Sequence, residues 1–410
     1  MKPLRYREVH LDFHTSEAVP SVGDKFDKAQ FQAALKAGHV DSITVFSKCH
    51  HGWAYHPSEA NEMHPGLKFD LLDAEIKAAH EIGVKTPVYL SAGFDEKIAH
   101  KHPEWLRRPK DDRIGWEYPG FHELCMNSPY LDYLIAQIEE VVRNYDCDGI
   151  FLDIVGVRTC WCQNCVKTLL DEGKDPYNDE NACELGERVY LNYTRRVREA
   201  VDRIKPGLPV FHNSGHIRRG RRDLADVDSH LELESLPTGG WGYDHFPLSA
   251  AYSRTLGKNF LGMTGKFHTT WGEFGGYKHP NALRYEEALC VANGAKCSVG
   301  DQMHPDGHMD EVTYDLIGAA YSEVEEREEW LDGVTSVADI AVLSEEAVAN
   351  YCEQNHLPHS GDNGSDAGVV RMLLEGKFLF DVVDTDSLFS GECEKYKLLI
   401  LPDSVRFDER

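Results

Sequence analysis

Nowhere in this chain do the ~18 consecutive apolar residues needed to span a bilayer occur. The first residues, Met1-Lys-Pro-Leu-Arg-Tyr-Arg-Glu, start basic but lead into no apolar segment, so they read as lacking a secretory signal. Positive charge is scarce: 43 Lys and Arg stand against 69 Asp and Glu, a formal net charge of −26. That field repels phosphate backbones and excludes nucleic acid as a partner; it also disfavours anionic substrates, whereas a neutral ligand such as a sugar meets no barrier. Low-complexity tracts are absent, and the glycine clusters at Gly239-Gly240-Trp-Gly242 and Gly275-Gly276 do not have phosphate-binding spacing; they read as loop turns. What remains is a chain of 410 residues, 41% hydrophobic, enough for a large core. Its eleven cysteines, an odd count without an export signal, point to a reducing compartment, the cytoplasm.

Short β-rich runs alternate with helical patterns over the first ~330 residues, as a parallel sheet with crossover helices requires. Strands are expected over 8–14, 42–47, 85–91, 149–155, 209–213, 230–235, 260–266 and 295–300, the eight that a (β/α)8 TIM barrel needs. Between them, 69–83 carries Leu71, Leu72, Ile76, Ala79 and Ile82 at helical spacing, and 130–145 places Leu131, Leu134, Ile135, Ile138, Val141 and Val142 on one face. An acidic helix near 311–329 reads as a solvated outer face. After 333 the character changes. Strands over 337–343, 378–383 and 398–401, a polar gap over 356–366 and a helix near 367–375 look like the start of a second α/β unit. The organisation expected is therefore a catalytic barrel over 1–333 followed by a partial α/β domain over 334–410, a fragment that either packs on the barrel or is truncated.

Polar residues collect at the strand ends, where a parallel barrel does its chemistry. Strand 1 ends His10-Leu-Asp12-Phe-His14, with His10, Asp12 and His14 on one face; strand 2 runs into Lys48-Cys-His50-His51-Gly-Trp53. His212-Asn213, then His230, Glu232 and Glu234, then Lys266, His268 and Trp271, then Asp301, Gln302 and His304 follow on strands 5 to 8. One such end is an ordinary solvated loop. Imidazoles, indoles and carboxylates at nearly every end describe a polar pocket suited to sugar hydroxyls and C–H faces. In Asp148-Gly-Ile-Phe-Leu-Asp153 an apolar run delivers Asp153 to a strand exit, while Asp148 starts the strand on the face that rarely does chemistry.

These residues carry a resemblance. Lys48-Cys-His50-His51-Gly-Trp53 resembles the Lys-His-His-Asp-Gly-Phe segment of family 29 α-L-fucosidases, whose paired histidines touch the sugar. Phe13-His14 with Val19-Pro20 is similar to that family's strand-1 region, and Asp148–Asp153 to its nucleophile segment. The chain looks closer still to family 151 glycoside hydrolases, a related α-L-fucosidase group with a longer polypeptide, and its last part resembles the flavodoxin-like trimerisation domain of family 42 β-galactosidases. Cys49 and His51 depart from the family 29 pattern, which leaves His50 and His51 safer as a pair than singly.

The resemblance implies a retaining exo-glycosidase on α-L-fucosides and a homo-oligomer. Its nucleophile would be Asp153, and its acid/base either Glu234, in Glu232-Leu-Glu234, or Glu273, in Trp271-Gly-Glu-Phe. His14, His50, His51, Trp53, His212 and Trp241 would line the sugar subsite. Cys160-x-Cys162-x2-Cys165 has metal-ligand spacing, and Cys125 is the natural fourth thiol for a structural zinc. Family 42 enzymes have a similar cysteine arrangement. Two other readings stay open: a β-galactosidase-like glycosidase, although the strand-4 Asn-Glu of that family is replaced here by Asp153-Ile154, and a sugar-binding barrel without catalysis.

Overall fold

The computed structural model describes residues 4–111, 120–349, 364–403 and 405. Eight parallel strands form one sheet: β1 (Arg7–Asp12), β2 (Ser42–Lys48), β3 (Pro87–Ser91), β4 (Gly149–Asp153), β5 (Val210–His212), β6 (Leu231–Glu234), β7 (Phe260–Gly265) and β8 (Lys296–Gln302). Their order, β5-β4-β3-β2-β1-β8-β7-β6, is a barrel opened at one seam. There Ser229 N–H donates to the Val210 carbonyl at 2.9 Å and His212 N–H to Asp228 Oδ1 at 2.7 Å, so β5 and β6 are neighbours without a regular ladder. All eight expected strands exist, with ends shifted by a few residues.

Strand alternation sorts the residues. Val9, Leu11, Ile43, Val45, Val88, Leu90, Ile150 and Leu152 belong to one continuous buried core with apolar residues of the surrounding helices. The helix Leu71–His80 shows how: Asp70 caps it by accepting from Asp73 N–H, and Leu71, Leu72, Ile76 and Ala79 are buried. Facing the barrel axis are Glu8, Thr44, Phe46, Tyr89, Phe151, Glu232 and Glu234 with His10 and Asp12. Phe46 and Tyr89 stack at 3.8 Å, and His10 lies edge-on to Phe151 at 4.8 Å.

The last part forms a separate three-stranded parallel sheet, β9 (Ile340–Leu343), β10 (Phe380–Val383) and β11 (Leu398–Ile400), in the order β10-β9-β11. Of the polar gap expected over 356–366, residues 356–363 lie outside the described residues; the helix Gly364–Glu375 begins at its end. This sheet packs on the barrel. Val342, Val370, Leu373, Phe380 and Val382 bury against Leu248, Ala251 and Tyr252 of the helix His245–Ser253. Arg254 Nε donates to Asp381 at 2.6 Å and Arg222 Nε to Asp384 at 2.8 Å across the same boundary. Among the described residues no helix is long and apolar enough to cross a membrane.

Candidate active site

At the C-terminal ends of the strands lies a cavity of about 250 Å³, lined among others by His10, Asp12, His14, His50, Asp153, Asn213, Glu234 and Trp271. Asp153 is the last residue of β4, paired in register with Ser91. Its carboxylate is held on both oxygens: Tyr89 OH donates to Oδ2 at 2.6 Å and Asn213 Nδ2 to Oδ1 at 2.8 Å, with His50 Nε2 at 3.9 Å. Burial raises the Asp153 pKa above the usual carboxylate range, and the hydrogen bonds from Tyr89 and Asn213 work against that rise. The next residue, Ile154, has φ 59, a left-handed conformation that a β-branched side chain adopts only under strain. The chain can turn here because Gly93 lies alongside: a Cβ on it would meet the Ile154 carbonyl oxygen at 1.7 Å.

Glu234 ends β6 and faces the same cavity. Burial, and then the nearby Asp153 charge, push its pKa up to about 7, which keeps it substantially protonated near neutrality. The two carboxyls thus have different environments: two donors hold Asp153, whereas at Glu234 burial and the Asp153 charge outweigh hydrogen bonding from Asn213.

On β1, Trp271 Nε1 donates to Asp12 Oδ2 at 2.6 Å, and Asp12 Oδ1 lies 3.5 Å from His10 Nε2 and 3.7 Å from His14 Nε2. Burial works to lower His14, but hydrogen bonding to Asp12 and Cys49 outweighs it and lifts the pKa to about 10. His50, whose ring lies 4.2 Å from that of His14, goes the other way: burial and then the His14 charge hold it well below the usual value. A cationic and a neutral imidazole therefore lie side by side, offering a sugar hydroxyl both a donor and an adaptable donor–acceptor. Trp271 reaches in over Gly300 of β8, where a Cβ would meet its ring at 2.4 Å.

Not every expected residue reaches this cavity. Glu273 is on the surface, its carboxylate turned back onto Thr269 N and Oγ1, both at 2.9 Å. His212 is buried against Tyr193 OH at 3.0 Å, and burial lowers its pKa to about 3. His51 lies edge-on to Phe121, Trp53 Nε1 points to Glu17 under the Lys97 ammonium, and Trp241 packs on His245; none of these lines the cavity. Asp148, at the opposite end of β4, accepts from Thr86 N–H at 3.0 Å and lies 3.0 Å from His80 Nε2. Conversely, sequence reasoning assigns Tyr89 no role, and Asp12, Asn213 and Trp271 only a place among the polar strand ends, although Tyr89 and Asn213 bind Asp153 and Trp271 binds Asp12. For Tyr89 and Asp12 the signal is a polar tip on an inward strand position, which alternation reveals only once the strand ends are fixed; Asn213 and Trp271 lie in the loops that follow β5 and β7.

Beside this site, Cys125, Cys160, Cys162 and Cys165 are all buried, with sulfurs within 4.8 Å of one another. The Cys125–Cys165 separation is 3.6 Å, close to the ~3.8 Å edge of a tetrahedron built on metal–sulfur bonds of ~2.3 Å. Backbone N–H groups of Asn127, Arg108 and Cys162 point at the sulfurs at 3.4–3.5 Å, which favours thiolates. The residues present fit a metal ion joining the loops after β3 and β4.

Residues 27–154 match a family model described as "Hypothetical glycosyl hydrolase 6". No curated protein matches the chain. Among solved structures, the alpha-L-fucosidase isoenzyme 2 from Paenibacillus thiaminolyticus is 60% identical with a TM-score of 0.94, covering 99% of this chain and 61% of its own. The beta-galactosidase from Bacillus circulans sp. alkalophilus shares the fold at 15% identity, a TM-score of 0.70, and coverage of 94% and 67%. A GH42 beta-galactosidase from G. stearothermophilus does so at 14%, with a TM-score of 0.69 and coverage of 96% and 67%. The chain thus spans less than two thirds of the fucosidase it matches. Across nearly all of its own length, the chain is similar to that α-L-fucosidase, and it shares its fold with the beta-galactosidases.

Proposed function

We propose that the chain is the catalytic part of a retaining exo-glycosidase acting on α-L-fucosides. The observation that carries this is the pairing of Asp153 and Glu234 across one cavity with opposed environments, in a chain 60% identical to an α-L-fucosidase. Asp153, ionised and aimed by Tyr89 and Asn213, attacks the anomeric carbon as the glycosidic C–O bond breaks. Glu234 gives its proton to the departing oxygen. In the second half Glu234, now a carboxylate, takes a proton from water, whose oxygen displaces Asp153 and releases the sugar with its original anomeric configuration. His14, His50 and Trp271 hold the sugar ring. The test is turnover of an aryl α-L-fucoside beside aryl β-galactoside and other aryl glycosides. Preference for β-galactoside supports the galactosidase-like alternative, and fucose binding by calorimetry without turnover supports a binding barrel.

The second unit, which we set at 334–410 after a barrel of 1–333, is read as flavodoxin-like: an all-parallel β10-β9-β11 order is the 2-1-3 start of that doubly wound arrangement. Such a unit in galactosidase-like barrels suits a homo-oligomer. The tetrathiol site is assigned to structural zinc, since four closed thiolate ligands leave no open position for water. Buried thiols such as Cys49, Cys147, Cys290 and Cys297 suit a reducing compartment such as the cytoplasm.

A further inference from the structure

The loop after β5 connects the two units of the chain to the reacting carboxylates. Asn213 carries a side-chain amide with one donor end and one acceptor end, and only the donor end can serve Asp153. That choice is made locally: Gly215 N–H donates to Asn213 Oδ1 at 3.0 Å, which turns Nδ2 toward Asp153 Oδ1 at 2.8 Å. Gly215 is held in turn by the next residues. Ser214 Oγ donates to the His216 carbonyl at 2.9 Å, and His216 Nε2 lies 2.9 and 3.0 Å from the two oxygens of Glu346.

Glu346 does not belong to the barrel. It lies in the short helix Glu345–Val348 directly after β9, and it is buried. Besides His216 it binds Arg219 Nη2 at 2.9 Å, whose Nε donates to Ser344 Oγ at 2.8 Å. Ser344 Oγ donates to the buried Asp366 at 2.6 Å. Burial works to raise the Glu346 pKa, but Arg219 and His216 hold it down to about 2, so the anchor is an anion across the working pH range. Backbone contact tightens the same junction: a Cβ on Gly220 would meet Ala347 Cα at 2.8 Å. The loop therefore has a buried ionic clamp at one end and the nucleophile's hydrogen-bond partner at the other.

We infer that Glu346, supplied by the second unit, is a positioning residue for the barrel's active site, fixing the loop 213–219 so that the Asn213 amide presents its N–H to Asp153. The role rests on the fucosidase reading above. It makes the second sheet part of the catalytic apparatus rather than a structural attachment, because releasing the clamp frees Gly215 and lets the amide turn its oxygen toward a carboxylate.

The test compares Glu346→Ala with Asp381→Ala, which loosens the same boundary at Arg254 but leaves the loop after β5 untouched. With aryl α-L-fucoside, Glu346→Ala is expected to lower kcat roughly 10- to 100-fold, the scale of small misplacements, with KM little changed. The acid limb of its kcat/KM profile should move to higher pH, because Asp153 loses a hydrogen bond to its charged form. The other groups facing Asp153, namely Tyr89, His10, His50, Arg158 and Glu234, are the same in both proteins. Glu346→Gln, which keeps the hydrogen-bonding shape, should recover part of kcat; it carries the same readout if the alanine variant does not fold. Asp381→Ala should lower the unfolding temperature and leave the pH profile in place. An unchanged kcat and acid limb in Glu346→Ala, or equal losses in both variants, overturns the positioning role alone. No turnover of fucoside by the parent chain overturns the functional reading and this role with it.

Discussion

The same strands furnish buried carboxylates and imidazoles at both ends of the barrel. At the upper end Asp12, Asp153 and Glu234 face His10, His14 and His50 around a cavity of about 250 Å³. At the lower end Glu8, Glu232 and His230 line one of about 50 Å³, and Phe151 separates the two. β1 contributes Glu8 below and Asp12 above, and β6 contributes Glu232 below and Glu234 above, so strand alternation alone does not distinguish them. The difference lies in what surrounds the acids. Above, groups from other strands and loops reach in: Tyr89 and Asn213 to Asp153, Trp271 to Asp12. Below, Glu232 Oε2 and His230 Nδ1 have no hydrogen-bond partner among the described residues, and Glu8 is raised to about 7 by burial and by Glu232. Buried acidity is common to both ends, and so are donors, since Thr44 Oγ1 donates to Glu8 at 2.6 Å; the larger space belongs to the upper end.

The sharpest way to break this comparison is at β4, which has a carboxylate at each end. Asp153→Ala should lower kcat for an aryl α-L-fucoside by about 10⁴-fold or more, as loss of a covalent participant does. Asp148→Ala, which removes the lower carboxylate, should act on the unfolding temperature and leave kcat within an order of magnitude. Activity surviving in Asp153→Ala would take Asp153 out of the mechanism.

Next in size is the acid/base. Glu234→Gln should cost about 10²–10⁴-fold in kcat for a poor leaving group. In the parent, kcat/KM should fall as pH rises through about 7, because the form that donates a proton is lost as Glu234 ionises. That limb should vanish in the glutamine variant. Glu273→Gln should leave both rate and limb in place, since Glu273 is bonded to Thr269 outside the cavity. A loss at Glu273 that matches Glu234 would reverse the assignment.

These expectations show what the chain made legible. Eight strands and the position of Asp153 were readable because buried parallel strands are near-continuous apolar runs, and a carboxylate ending one of them stands out. The second sheet was readable for the same reason. The choice between Glu234 and Glu273 was not, because it depends on which way a loop folds: the turn at Thr269–Glu273 closes on itself instead of opening toward the cavity. His212 misled by alternation. Its neighbour Asn213 carries the contact to Asp153, while His212 faces the helix residue Tyr193. Trp53 and Trp241 had the right chemistry for a sugar face but stand on loops whose paths no local pattern reveals.

The cysteine cluster sharpens the comparison at the rim, since it braces the two loops that frame the upper end. Protein purified without chelator should carry about one zinc per chain, and Cys125→Ser should lose it. The expected cost in stability is on the order of 2 kcal/mol or more, read as a lower unfolding temperature. The partners of Asp153, Tyr89 and Asn213, lie outside the cluster, so kcat should fall far less than in Asp153→Ala. Zinc well below one per chain in the parent would discard the assignment.

The smallest effect is expected at the lower end, and its sign is informative. Glu8 binds its proton more tightly in the folded protein, with a pKa of about 7 against 4.5, so the stability it contributes falls as pH rises between those values. Burial is the first cause and repulsion by Glu232 the second. Glu232→Gln keeps an acceptor for His230 Nε2, now 2.8 Å from Oε1, and removes the charge. Glu8 should then relax toward its usual range, each unit being worth about 1.4 kcal/mol above pH 7. The variant should therefore be the more stable protein at about pH 8 and approach the parent near pH 5, where Glu8 holds its proton. Glu234 adds the same pH slope to both proteins and drops out of the difference. Equal stability at the higher pH would mean that Glu8 and Glu232 do not repel, and the two ends of the barrel would then differ in space alone.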